Sequence, residues 1–386
     1  MKKKLSILTL LCLVLGAIFG FFLQDKILQI EFLGSFYVNA LKLLILPVLF
    51  TSITTTIYES SKTQGKLVGK AIVLFVIMFI TSFVVSSIVV FVLKPSANFH
   101  ILTSNAEITT TAITWTSILT NLFPTDLLGI FMGKSVFFII LVSYLIGYCA
   151  SKFQWTKFID GVNVVKKYVF LLLEYITYYT PIAVFSLMGV SVYRFGLTSL
   201  LTGLRYIVTA YCAGIVVLVV VMLIPLKLFK KVPLSSYIKK IYPIWLMTIS
   251  TCSSAATLPY TLKVCKEELK VDKKTVDIVV PLGTTIHMCG GAVSFSLLGI
   301  FCAQLFGVDI TFGLFLMMLV SSILINMSAP GIPGGGVVIG ATYLQGLGIP
   351  LDFIGFYSGI YKILDMLYTT LNVTGDISAV VLLDKN

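Results

Sequence analysis

The sequence predicts an all-α polytopic membrane protein with eight transmembrane helices and two re-entrant hairpins. The first observation is composition: 58% of the 386 residues are hydrophobic and only 11% are charged. Mean hydropathy is +1.03, far above that of soluble globular chains. The second is the recurrence of apolar runs near the ~20 residues that a helix needs to cross a bilayer. They fall around 5 to 23, 36 to 57, 68 to 93, 134 to 150, 168 to 192, 204 to 229, 276 to 306 and 356 to 383. The third is a pair of apolar segments, 242 to 262 and 313 to 346, that small residues and prolines interrupt, so neither reads as a simple crossing.

The N-terminus has three lysines, Lys2 to Lys4, before an apolar run from Leu5, as a secretory signal would. The run continues through Phe22 with no small-residue cleavage pattern behind it, which makes it the first span. The net charge of +12 raises the possibility of a nucleic-acid partner, but its distribution argues against one. Basic residues cluster in alternate loops, at Lys62 to Lys70, Lys152 to Lys167, Lys227 to Lys240 and Lys263 to Lys274, while Gln24 to Ser35 and Ala97 to Thr114 carry little positive charge. That is the positive-inside pattern, with both termini cytoplasmic in a multi-pass protein of the cell (plasma) membrane surrounded by lipid. The seven cysteines are scattered through apolar segments without disulfide or zinc spacing, and read as free thiols used as small apolar residues.

The first interrupted segment reads Ser250-Thr251-Cys252-Ser253-Ser254-Ala255-Ala256-Thr257-Leu258-Pro259. Small hydroxyl residues are also helix-packing residues in membranes. Here they run into Pro259 and then a basic loop on the side where the segment began, so they are expected to form a hairpin tip. The second, Pro330-Gly331-Ile332-Pro333-Gly334-Gly335-Gly336, cannot continue a helix and leaves backbone groups with no lipid partner. Such backbone is tolerated at membrane depth only where it is buried or lines a cavity. Paired interruptions of this kind point to the mid-membrane site of a secondary transporter.

The last span adds Asp365, Asn372, Thr374 and Asp376 to an otherwise apolar stretch. A carboxylate at mid-membrane costs roughly 2.5 to 3.5 kcal/mol on insertion scales, so each Asp belongs to an ion or substrate site unless a partner neutralises it. Lys362, three residues before Asp365, is the local candidate for such a partner.

Four motifs, in order and at matching spacing, resemble those of the glutamate-transporter-like dicarboxylate/amino acid:cation symporter family. They are the serine-rich tip ending Thr257-Leu258-Pro259, Pro281-Leu282-Gly283-Thr284-Thr285-Ile286, Gly331-Ile332-Pro333-Gly334 and Asn372-Val373-Thr374-Gly375-Asp376. Weaker similarity, as at Leu46-Pro47-Val48-Leu49-Phe50 and Pro181-Ile182-Ala183-Val184-Phe185, joins them across nearly the whole chain. The resemblance implies an elevator fold in a homotrimer. Residues 1–67 and 97–200 would be scaffold (spans 1, 2, 4 and 5); residues 68–96 (span 3) and 201–386 (spans 6 to 8 and both hairpins) would form the moving transport domain.

The resemblance also assigns roles. Asp365 would bind a substrate α-amino group and Asn372 the α-carboxylate, with Cys252, Ser253, Ser254, Ile332, Gly336 and Thr369 closing the pocket. Asn372, Asp376 and Gly283 match one Na⁺ site, Thr285 with hairpin carbonyls a second, and Thr81 and Ser82 part of a third. Where the family has an arginine for an acidic side chain this chain has Tyr368, a threonine touching the same carboxylate is Gly291, and an aspartate supporting the arginine is Tyr361. The whole acidic device is missing, which implies a neutral amino acid, with Gly291 enlarging the side-chain pocket and Tyr368 lining it. The family's Asn-Met-Asp-Gly-Thr is His287-Met288-Cys289-Gly290-Gly291 here. A thiol is a poor ligand for a hard cation, and His is the side chain whose ordinary pKa lies nearest neutrality, so coupling to Na⁺ and/or H⁺ through His287 is expected. A neutral His287 bonded to backbone is the plainer reading. No other cofactor is implied.

Alternative classes fare less well. An enzyme would have to build a site from Cys252 or Cys289 with His287; His287 and Cys289 on one helix would point to different faces, and no zinc or serine-hydrolase motif is present. A channel would need a continuous polar lining, whereas the polar residues cluster at mid-membrane. An acidic amino acid or dicarboxylate symporter, and a family member with weakened or lost cation coupling, remain the alternatives.

Overall fold

The computed structural model describes residues 2–62, 66–96, 136–195, 198–326 and 335–384. Every element among them is helical. Helices occupy all the apolar segments read from the sequence: α1 (Lys2–Leu23), α2 (Glu31–Lys62), α3 (Lys66–Leu93), α4 (Val136–Lys152), α5 (Thr156–Phe195), α6 (Thr198–Val217), α7 (Ile224–Lys230), α8 (Leu234–Thr251), α9 (Ser254–Lys263), α10 (Lys273–Ile286), α11 (Cys289–Leu305), α12 (Phe312–Asn326), α13 (Gly335–Gly346) and α14 (Asp352–Leu383). Five helical runs are long and apolar enough to cross a bilayer, or six with the bent α5 counted as one. Large side chains that face outward are apolar, as with Phe22 and Leu43, both 75% exposed, which is the inverse of a soluble surface. The second hairpin tip, Gly331 to Gly334, and with it Ile332, lies outside the described residues.

The irregularities have local causes. Helix α5 bends by 46° between Ile176 and Tyr178, one turn before Pro181, whose ring has no N–H for the residue 177 carbonyl and clashes with it. Between α6 and α7 a π-helical turn, Leu218–Leu223, absorbs the missing donor of Pro225. Asp272 caps α10 by accepting from the Thr275 backbone N–H at 3.0 Å, which holds its carboxyl below the usual carboxylate range.

Two expectations need correction here. The 242 to 262 segment unwinds only at Cys252, left-handed at φ 48°, and at extended Ser253. Ser253 Oγ accepts from the Ala256 N–H at 3.3 Å and restarts the helix, so Pro259 lies inside α9 rather than at the tip. The 276 to 306 span is two helices, because His287 and Met288 are extended between α10 and α11.

Packing depends on small residues, as expected where lipid gives helices no hydrophobic reason to associate. Helix α1 lies on α5 through Gly16 and Gly20, where an added Cβ would strike the backbone of Phe185 and Gly189. Helix α4 lies on α2 through Gly147 against Thr54, whose hydroxyl donates to the Ser143 carbonyl at 3.3 Å. Helix α3 meets α11 at a Ser86–Ser296 hydroxyl contact of 2.6 Å. Helix α14 is buried along most of its length, and α8 is bonded to it by Trp245 Nε1 to Thr374 Oγ1 at 2.9 Å and by Thr248 to Thr370 at 2.8 Å.

Gly20→Leu should therefore be more damaging than Gly69→Leu, since a Cβ on Gly69 meets nothing within 4 Å. Overpacking costs roughly 1 to 3 kcal/mol. Thermal unfolding in detergent should show a clearly lower midpoint for the Gly20 variant alone.

Candidate functional site: a cavity against the middle of the last helix

A cavity lies where the breaks in the helices face α14. Its lining includes Cys252, Ser254, Gly291, Gly336, Asp365, Tyr368, Thr369 and Asn372, eight of the residues singled out in the sequence. Ser253 caps α9 and is not part of the lining.

The starts of three helices border this cavity, contributing Ser254 from α9, Gly291 from α11 and Gly336 from α13. Helix N-termini carry unsatisfied N–H groups and partial positive charge, which suit an anion. Asn372 is oriented by its neighbour: Oδ1 accepts from the Gly290 N–H at 2.7 Å, so what the amide has left to offer a ligand is its NH₂. Asp365 lies two turns away on the same helix, 8% exposed, and accepts from Thr369 Oγ1 at 3.2 Å. It is the only ionisable acid or base lining the cavity other than tyrosine and cysteine, among the described residues. Lys362, the candidate local partner, is half-buried and comes within reach of the Cys252 thiol.

The remaining wall is aromatic and polar but uncharged. Tyr361 brings its hydroxyl against Gly336, where any Cβ would overlap it, and so closes α14 onto α13. Tyr357 donates to or accepts from Ser294 at 2.9 Å and meets the Tyr361 ring edge-on at 5.3 Å. Met288, Ser294, Phe295, Asn326 and Ile339 also line the cavity, and sequence reasoning missed them. Met288 lies within a quoted motif but was given no role there, and the others lie on apolar runs with no motif to mark them, although an Asn ending an apolar helix just before the Pro-Gly segment was a visible signal.

Below the cavity a second polar cluster is fully enclosed. His287 Nδ1 lies 2.9 Å from Asp376 Oδ1, and its Nε2 lies 3.1 Å from the Cys289 thiol. The imidazole is stacked on Phe75 at 4.4 Å between centroids, and Ser82 adjoins Cys289. The expectation that His287 and Cys289 point apart is thus wrong. It assumed one continuous helix, and the extended backbone at His287 and Met288 turns both side chains to the same point. The arrangement is a Cys–His–Asp chain, but its members are at most 1% exposed, so no substrate reaches it.

The other expected cation ligands are divided. Gly283 packs directly against Asp376, and its carbonyl accepts from the His287 N–H at 2.8 Å. Ser82 is buried beside Cys289, whereas the Thr81 hydroxyl turns back to the Ile77 carbonyl at 2.8 Å. Thr285 is exposed on α10 and donates to the Leu282 carbonyl at 2.7 Å, away from the cavity.

A cavity at the meeting of broken helices in a body of long apolar helices, with one acid, two amides and several helix N-termini along it, fits a membrane transporter of small molecules rather than an enzyme. The chain belongs to the sodium:dicarboxylate symporter family, whose family model matches residues 5–386. It is 23% identical to a proton/glutamate-aspartate symporter of Bacillus subtilis, across 100% of this chain and 95% of that protein. It is 24% identical to a C4-dicarboxylate transport protein of the same organism, across 100% of this chain and 94% of the relative. A neutral amino acid transporter A from Bos taurus is 27% identical over 63% of this chain and 47% of its own length. Relatives with three substrate classes leave the choice to this chain's own residues.

His287→Ala should lower the thermal midpoint far more than Thr285→Ala. The first leaves a buried Asp376 oxygen without its hydrogen-bond partner, at a cost of about 1 to 3 kcal/mol, and the second removes an exposed hydroxyl. Equal shifts would contradict the enclosed cluster.

Proposed function

We propose that the protein takes up a neutral amino acid by symport with Na⁺ and/or H⁺, through an elevator movement in a homotrimer. The observation that carries the substrate class is the charge inventory of the cavity. One carboxylate, Asp365, faces it, and no cation does among the described residues. A zwitterion fits: its ammonium pairs with Asp365, and its carboxylate meets the Asn372 NH₂ and the helix N-termini. An acidic amino acid would bury a second carboxylate against Tyr361, Tyr368 and Gly291 with nothing to neutralise it. A C4-dicarboxylate has no ammonium to pair with Asp365.

The coupling ion follows from the enclosed cluster. An Na⁺ at Asp376 would need oxygen ligands where His287 now donates or shares a proton and Cys289 presents sulfur. That favours fewer Na⁺ ions than the family pattern of three sites, or a proton in place of one of them. Weakened coupling is the second reading that the same observation supports.

The moving body would be residues 68–96 and 201–386, against a scaffold of 1–67 and 97–200. The packing of α1, α2, α4 and α5 on one another, and of α3 and α8 on α11 and α14, is consistent with this division. The charge pattern of the loops supports a plasma-membrane protein with cytoplasmic termini.

In proteoliposomes, labelled alanine or serine should enter under an imposed Na⁺ or H⁺ gradient, with unlabelled neutral amino acids competing far better than aspartate. Aspartate as the best competitor would overturn the substrate class. Asp365→Asn should reduce uptake at least ~100-fold, since it removes a buried charge partner of the substrate. Uptake with the same rate in the variant would leave Asp365 a purely structural acid. His287→Asn should change the dependence on the H⁺ gradient while leaving alanine binding measurable; an unchanged dependence would remove His287 from coupling.

A further inference from the structure

One residue lining the cavity is not brought forward by the family resemblance. Asn326, the last residue of α12, is 2% exposed and lines the cavity, and its Oδ1 has no hydrogen-bond partner among the described residues. Buried amide oxygens are almost always satisfied, and leaving one unmade costs about 1 to 3 kcal/mol. The position of this oxygen explains Gly291. A Cβ built on Gly291 would overlap Asn326 Oδ1 and come within 3.2 Å of its Cγ. The carboxamide therefore stands in space that any side chain at 291 would take.

On the α14 side of the cavity, the buried Tyr368 hydroxyl makes no hydrogen bond of normal geometry among the described residues, with Ser294 and Tyr206 beside it. The cavity's lining thus includes an amide and a phenol whose oxygens are buried, neutral and without a hydrogen-bond partner among the described residues. An alkyl side chain leaves the amide unsatisfied. A side chain with an O–H or N–H donor completes it.

We propose that Asn326, in the space opened by Gly291, is a specificity-determining residue that selects neutral amino acids with a hydrogen-bond donor on the side chain, of the hydroxyl or carboxamide class. The inference rests on the neutral amino acid reading and narrows it. A site built to bond a substrate O–H or N–H rejects the analogue that lacks it, whereas an apolar pocket barely separates the two.

The test is stabilisation and uptake by the full-length protein with serine, asparagine, alanine, valine and aspartate, in wild type, Asn326→Leu and Gly291→Ala. Wild type should bind serine or asparagine at least about ten-fold more tightly than alanine. Asn326→Leu should abolish that ratio, weakening serine and asparagine about ten-fold more than alanine. Retained alanine binding then shows that the variant is folded. Gly291→Ala displaces the carboxamide from the other side and should give the same loss of selectivity. Alanine equal to serine in wild type overturns the assignment by itself, whatever the variants do. So does a variant that weakens alanine and serine equally. In both outcomes neutral uptake still stands. Tightest binding of aspartate overturns instead the reading on which the inference rests.

Discussion

Burying two aspartates on one helix at the centre of an apolar body is the constraint that organises this molecule. Asp365 and Asp376 are both buried, so each must be met by polar groups that a regular helix cannot supply. The two breaks in the neighbouring helices supply them. The turn at Cys252 and Ser253 brings the start of α9 to the cavity beside Asp365. The extended pair His287–Met288 delivers an imidazole to Asp376 and the Gly290 N–H to Asn372. Glycines at 283, 290 and 336 let backbone approach where a Cβ would collide with Asp376, Tyr368 or Tyr361.

Much of this was legible in the sequence, and the reasons differ by element. Apolar length located the long helices, because a bilayer sets the same minimum for each. The four polar residues of the last span were legible because polarity in an apolar run is costly and therefore rare. The breaks were harder. Pro259 looked like the end of the first hairpin tip but sits within α9, because a capping serine six residues earlier had already restarted the helix. Pro281 and Gly283 precede the break at His287–Met288 but both lie within α10, so the contact between His287 and Cys289 was invisible to helical periodicity. Asn326 was missed because its role depends on the absence of a side chain at Gly291, which is a relation in space and not in sequence.

Among the described residues that line the cavity, Asp365 alone is a charged side chain. Tyrosines occupy the positions at which the resemblance placed an arginine and its supporting aspartate, and they pack with Tyr357 rather than leaving a void. The charge that remains, Asp365, suits the ammonium common to all amino acids, and so leaves side-chain choice to hydrogen bonding and shape. Around Asp376, imidazole and thiol stand where hard oxygen ligands were expected. On the proposed reading, substrate class and ion coupling depart from the acidic pattern at separate places, which meet at Asn372 and the start of α11.

The central claim is that the cavity holds both ends of a zwitterion and has no cation for a second carboxylate. It is tested most directly by thermal unfolding of the purified protein with ligands altered one end at a time: serine, its N-acetyl and methyl ester derivatives, aspartate and succinate. A ligand that binds only the folded state raises the midpoint in proportion to RT ln(1 + [L]/Kd). The account predicts stabilisation by free serine, and little or none by either blocked derivative, aspartate or succinate. Stabilisation by succinate or aspartate equal to or above that of serine would contradict it.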